Sequence, residues 1–255
     1  MLDIWNLTIP TLTGDQPRRG YCYVPDFARE DPEARFPVLY MFDGHNVFLD
    51  SHATYGKSWG MLEYLEQNRV PLIVAAVECN HGEHNERLHE YSPFPGEMEG
   101  FGKIRGKGKK YMDWLAEEFK PAIDSRYPTR PDREHTFVAG SSMGGLMSLF
   151  AVSRYNRVFS RCAALSPTVF YCQDRLLPLL QSARMRRDTV IYMDYGQKEL
   201  DFHPAVASSF AETASLLTQR KLNVTARIVP DGTHCEASWE KQIPIFMETL
   251  FYGLE

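Results

Sequence analysis

His135-Thr136-Phe137-Val138-Ala139-Gly140-Ser141-Ser142-Met143-Gly144-Gly145-Leu146-Met147-Ser148-Leu149-Phe150 is the stretch from which the rest of the chain can be read. Thr136 to Ala139 is a short apolar run that suits a strand, and Leu146 to Tyr155 has a helical period. Between them, Gly140 and Gly144 stand two residues before and two after Ser142. A turn this tight between strand and helix leaves no room for Cβ atoms, and it holds the central side chain clear of the backbone. The helix N-terminus beside it favours developing negative charge. Ser142 is the candidate nucleophile, whereas Ser141 is one residue out of register and should point inward. The competing reading is a plain Gly/Ser turn.

A serine hydroxyl needs a base, and the base needs an acid to orient it. His234 lies in Pro230-Asp231-Gly232-Thr233-His234-Cys235, after the apolar run Val224 to Val229 and before a terminal helical segment, a position no other histidine shares. The acid should come from the turn after Val190 to Met193, where Asp194, Glu199 and Asp201 compete. Asp194 ends the strand, Glu199 lies beyond the Gly196 turn and can curl back toward His234, and Asp201 suits a cap on the next helix. An oxyanion would need two backbone donors. Met143 N–H is one, and the other is expected from Phe42-Asp43-Gly44-His45-Asn46, with Gly44 permitting an unusual turn and His45 presenting its amide.

Short apolar runs without alternation recur at Val38 to Phe42, Leu72 to Val77, Thr136 to Ala139, Cys162 to Leu165, Val190 to Met193 and Val224 to Val229. Such runs suit strands covered on both faces of a parallel sheet. Helical periods fall between them at Ser58 to Gln67, Tyr111 to Ile123, Leu146 to Tyr155, Pro204 to Thr218 and Ile243 to Tyr252. Leu2 to Ile9 and Tyr21 to Val24 alternate with polar residues, and the Gly/Asp/Pro-rich stretch from Thr13 to Gly20 separates them as an antiparallel pair. The expectation is one α/β domain over 1-255: a mostly parallel central sheet with an antiparallel start and helices on both faces. The long loops from Gly44 to Lys57 and from Asn80 to about Gly108 should lie over the carboxyl ends of the strands.

A net charge of -5 without a long cationic run gives no footprint for nucleic acid. Lys103 to Lys110, interleaved with glycine, reads as a solvated loop. The N-terminus lacks a signal-peptide pattern and no apolar run reaches the roughly 18 residues of a membrane span, so a cytoplasmic protein without a membrane partner is expected. The 5 cysteines show no C-x-x-C spacing and read as reduced, mostly buried thiols. His45 has no second histidine or carboxylate at ligand spacing in sequence, and His81, His84 and His89 lack a helical zinc face. No metal and no cofactor is expected. Self-association is left open.

Together these residues resemble the putative-esterase (esterase D-like) family of α/β-hydrolases, which includes feruloyl and acetylxylan esterases, siderophore esterases and mycolyltransferases. The resemblance is carried by Tyr40 to Phe48, Ser58-Trp59, Arg87 with Glu90-Tyr91-Ser92-Pro93, Gly140 to Gly145, Gly196-Gln197-Lys198-Glu199, and Gly232-Thr233-His234 followed by Trp239. It implies the α/β-hydrolase fold and favours Glu199 over Asp201 as the acid. It matches His45 to a backbone oxyanion donor, where many members carry glutamine, which would let the imidazole touch substrate. It also suggests Arg87 and Glu90 as an ion pair. The implied activity is serine carboxylic-ester hydrolysis through an acyl-enzyme on a small-molecule substrate, an acetyl or hydroxycinnamoyl ester of a carbohydrate. Trp59, Phe94, Phe170, Phe202 and Trp239 are candidates for an aromatic pocket. The rivals are a siderophore trilactone esterase, an acyltransferase and a non-catalytic binding module on the same fold.

Overall fold

The computed structural model describes residues 1–201 and 205–254. Alternating residues open the chain: along β1 (Leu2–Ile9), Trp5, Leu7 and Ile9 turn toward the core while Ile4, Asn6 and Thr8 face out. A single helical turn, α1 (Pro10–Thr13), leads to β2 (Gly14–Tyr23), which pairs antiparallel with β1. The stretch read as a connecting turn is thus largely strand. The register with β4 begins only at Gly20, so the missing N–H of Pro17 costs no bond to a second neighbour.

The unalternating runs form β3 (Val38–Met41), β4 (Ile73–Val77), β7 (Thr136–Ser141), β8 (Arg161–Leu165) and β9 (Val190–Gly196), every residue of which is buried, and the half-exposed edge strand β10 (Asn223–Val229). The gap in numbering is filled by a small separate hairpin, β5 (Gly96–Met98) and β6 (Gly102–Ile104). The main sheet has the order β1-β2-β4-β3-β7-β8-β9-β10, parallel from β4 to β10. From β3 the chain steps outward to β4, and from β7 it steps the other way to β8. Between the carboxyl ends of β3 and β7 the order reverses, and loops diverging there open a crevice.

The connections carry α2 (Met61–Gln67), α3 (Glu86–Glu90), α4 (Gly108–Trp114), α5 (Lys120–Arg126), α6 (Met143–Arg154), α7 (Gln173–Ser182), α8 (Ala205–Gln219), α9 (Glu236–Glu240) and α10 (Ile243–Phe251). One face of the sheet packs on Met112, Leu146, Leu176 and Phe210 of α4, α6, α7 and α8. The other packs on Met61, Leu65, Trp239 and Phe246 of α2, α9 and α10. Helix α2 starts at Met61 rather than Ser58, because Ser58 is tied by its N–H and hydroxyl to Asp50 and Gly60 adopts φ 67. Between α4 and α5 the helix widens by a π turn: Lys120 N–H donates to Leu115 O, immediately before Pro121, which has no N–H to donate. The long segment after β4 is not simply loop, since it folds into α3 and the β5–β6 hairpin.

Candidate active site

Ser142 sits between β7 and α6 with φ 57 and ψ -121, a backbone conformation that L-residues rarely adopt and that costs on the order of 1–3 kcal/mol. Neighbouring strands hold it there. Ser142 N–H donates to Leu165 O at 2.9 Å, and Thr168 N–H donates to Ser142 O at 3.1 Å. A Cβ on Gly140 would lie 2.8 Å from the backbone of Gly144, so the two glycines permit this close approach of strand and helix. Ser142 Oγ is 3.4 Å from Thr168 Oγ1, while Ser141 is buried in β7 as expected.

The acid and the histidine arrive from adjacent strands. Glu199 occupies a 3-10 turn after β9, and His234 follows β10. A Cβ on Gly196 would stand 2.4 Å from the carbonyl of Gly232, so the two loops touch backbone to backbone. His234 Nδ1 lies 2.6 Å from Glu199 Oε2, a carboxylate oxygen that accepts, which assigns the proton to Nδ1. The carboxylate is itself held: Glu199 Oε1 accepts from Gly196 N–H at 2.9 Å and from the Ser166 hydroxyl at 2.7 Å. Trp239 Nε1 donates to Ser166 Oγ at 3.0 Å, and the indole packs edge-on to the His234 ring at 5.1 Å. Glu199 is 1% exposed and His234 33%, so one end of the pair is dry and the other meets solvent. Asp194 stays apart on β9, where it accepts from Tyr192 OH at 2.6 Å. Burial pushes its carboxyl up to about 7. Asp201 is exposed.

Met143 N–H stands in the first turn of α6, where no carbonyl precedes it in the helix. The loop after β3 turns at Asp43, which takes φ 57, rather than at Gly44. Gly44 serves instead to let Val77 approach, since a Cβ would lie 2.8 Å from its backbone. Asp43 forms a two-pronged ion pair with Arg87 at 2.6 and 2.7 Å. Burial opposes its charge, but the guanidinium more than offsets this and holds the carboxyl below the usual range. Glu90 is paired with Arg18 at 2.6 Å, both wholly buried, so Arg87 and Glu90 do not bond to each other. The His45 side chain is buried and does not line the cleft: its Nε2 is 3.0 Å from Thr54 Oγ1 and its ring meets His81 at 4.6 Å. The structure also gives it the companions that linear spacing hid, because Cys79 and His81 converge on it.

Ser142, Met143, Glu199 and His234 line one cleft of about 1030 Å³. Its walls carry Leu88, Met98, Phe101, Phe170, Tyr171 and Tyr195, together with Glu97 and Glu99 from the hairpin. Of the aromatic candidates, Phe170 reaches the cleft. Trp59 and Trp239 are buried against each other at 5.8 Å, and Phe94 packs on Phe150. Phe202 lies outside the described residues.

The family model for putative esterases matches residues 13–250, a span that takes in Ser142, Glu199 and His234. The chain belongs to the putative esterase family. It is a carboxylic-ester hydrolase by that membership. The esterase shares its fold with an IroE-like serine hydrolase from Shewanella oneidensis (TM-score 0.77, 18% identity, 100% of this chain and 82% of that one). A ferulic acid esterase superposes with TM-score 0.69 at 18% identity over 98% of this chain and 96% of its own. The enterobactin esterase FES from Shigella flexneri gives 0.73 at 18%, with the esterase covering 60% of that longer chain.

Two residues beside Ser142 stand in no motif of the sequence. Ser166 and Thr168 sit at the carboxyl end of β8, in the esterase's own row of strand ends. The rule that ligands meet parallel strands at this end marks the segment Ser166-Pro167-Thr168, even though its composition is ordinary. The basic loop is largely neutralised: Arg105 and Lys107 pair with Glu86, and Lys109 with Asp113. Among the described residues no helix is long and apolar enough to cross a membrane, and all five cysteines are free.

Proposed function

We propose that the esterase cleaves aromatic acyl esters of uncharged polyols or sugars through an acyl-enzyme on Ser142. The observation that carries this reading is the 2.6 Å contact of His234 Nδ1 with buried Glu199, on the same cleft as a serine held at φ 57. His234 Nε2 takes the Ser142 proton as Oγ attacks the ester carbonyl, and Glu199 stabilises the imidazolium that forms. Met143 and His45 N–H groups hold the oxyanion. The imidazolium then gives its proton to the leaving alcohol. Water enters past the one-third-exposed His234, attacks the acyl-enzyme and frees the acid.

Phe170, Tyr171 and Tyr195 supply flat apolar surface for an aromatic acyl group. Glu97 and Glu99, which line the same cleft, favour a neutral alcohol over an anionic one. For that reason a catecholate trilactone is the weaker substrate. Ser142→Ala should lower turnover of p-nitrophenyl acetate by about 10³-fold or more, with an unchanged thermal melt. An alanine variant that keeps its activity removes the nucleophile assignment. A side-by-side assay of methyl hydroxycinnamates, acetylated xylo-oligosaccharides and a catecholate trilactone tests the rest. Faster cleavage of the trilactone would overturn the substrate reading and leave the nucleophile standing.

A further inference from the structure

Apart from the residues that line the cleft, three side chains with good metal-donor atoms meet. His45 comes from the turn after β3, and Cys79 and His81 come from the segment immediately after β4. Their donor atoms all lie within 4.8 Å of one another. Parallel neighbours β3 and β4 end side by side, so the fold itself brings these loops together.

The state of His45 calls for an explanation. His45 is 4% exposed, its Nε2 lies 3.0 Å from Thr54 Oγ1, and its Nδ1 is buried with no hydrogen-bond partner among the described residues. An unpaired buried ring nitrogen is costly, and native proteins keep few of them. A histidine with one nitrogen held by a hydrogen bond and the other bare is arranged as metal-ligating histidines are. Cys79 is 3% exposed, and burial pushes its thiol well up. His81 is exposed and gives the cluster a side open to solvent.

We propose that His45 Nδ1, Cys79 Sγ and one ring nitrogen of His81 bind a single zinc-class ion, with water in the remaining position. Two imidazoles and a thiolate form a donor set suited to Zn²⁺ or a similar borderline-soft cation, and unsuited to Mg²⁺ or Ca²⁺. With metal–nitrogen bonds of roughly 2.0 Å and a metal–sulfur bond of roughly 2.3 Å, tetrahedral ligands stand about 3.5 Å apart. The exposed His81 needs only a small movement to close that distance. As the ion binds, the Cys79 S–H bond is replaced by a sulfur–metal bond and the proton leaves to solvent, so affinity rises with pH.

The test uses the full chain and does not depend on the esterase reading. Co²⁺ titration, followed by its thiolate-to-metal absorption, and Zn²⁺ calorimetry should each give one ion per chain. His81→Ala should weaken Zn²⁺ binding at least tenfold, Cys79→Ser should abolish the thiolate band, and His84→Ala, a neighbouring exposed histidine, should change neither. His81→Ala should also keep the metal-free turnover, which verifies that this variant is folded. Absence of the thiolate band in the unaltered protein, or equal affinity in His81→Ala, would overturn the site.

Discussion

Glu199 shows how much of a site's chemistry lies in what holds a residue still. Its two oxygens accept from His234, Gly196 and Ser166, and Ser166 is in turn fixed by Trp239. Ser166→Ala would strip one donor from the carboxylate and leave the buried indole N–H without its acceptor. We expect kcat to fall about tenfold with KM unchanged, as for loss of one hydrogen bond to a charged group at roughly 1.5–3 kcal/mol. Steady-state kinetics at saturating substrate reads this directly, and an unchanged kcat would reduce Ser166 to a packing residue. At this scale legibility was uneven. Ser142 and His234 stand in short patterns that geometry makes necessary, so they can be read along the line. Ser166 stands in no pattern, and Trp59 and Trp239 look the same in sequence whether they line a pocket or fill a core. The companions of His45 lie 34 and 36 positions away, where linear spacing carries no information.

Elements were easier to read, because hydrophobic period reports burial and burial defines a strand's place. The fully apolar runs became β3, β4, β7, β8 and β9, and β10 alone among the parallel strands is half-exposed because it is the edge. What escaped was structure without a clean period: α7 is interrupted by Pro178, and the β5–β6 strands are three residues each. Contacts between element ends are also invisible in one dimension, and the touching of Gly196 with Gly232 is the case with most consequence. A methyl group at Gly196 would drive the β9 and β10 loops apart where they bring Glu199 against His234. Gly196→Ala should therefore lower kcat/KM by at least tenfold while the melting temperature falls by only a few degrees. Paired kinetics and calorimetry decide it: activity and stability lost in proportion would mean that the strands, rather than their loops, had moved.

For the whole molecule, the sheet's buried interior sets a pH dependence. Asp194 has an ordinary value of 3.8, raised to about 7 by burial in the folded state. Between those values the folded chain holds a proton that the unfolded chain has released. The stability this provides is complete below about 3.8 and is lost as pH rises through about 7. Asp194→Asn keeps the shape and removes the ionisation, so its melting temperature should exceed that of the parent at pH 8 and lose less between pH 5 and 8. Parallel melting profiles would refute this. The hairpin from Gly96 to Ile104 has a different kind of consequence. It supplies wall residues of the cleft yet belongs to a separate two-stranded sheet, while Ser142, Glu199 and His234 follow strands of the main one. A change in the length of that insert would reshape the wall and leave the strands beneath those three residues in place.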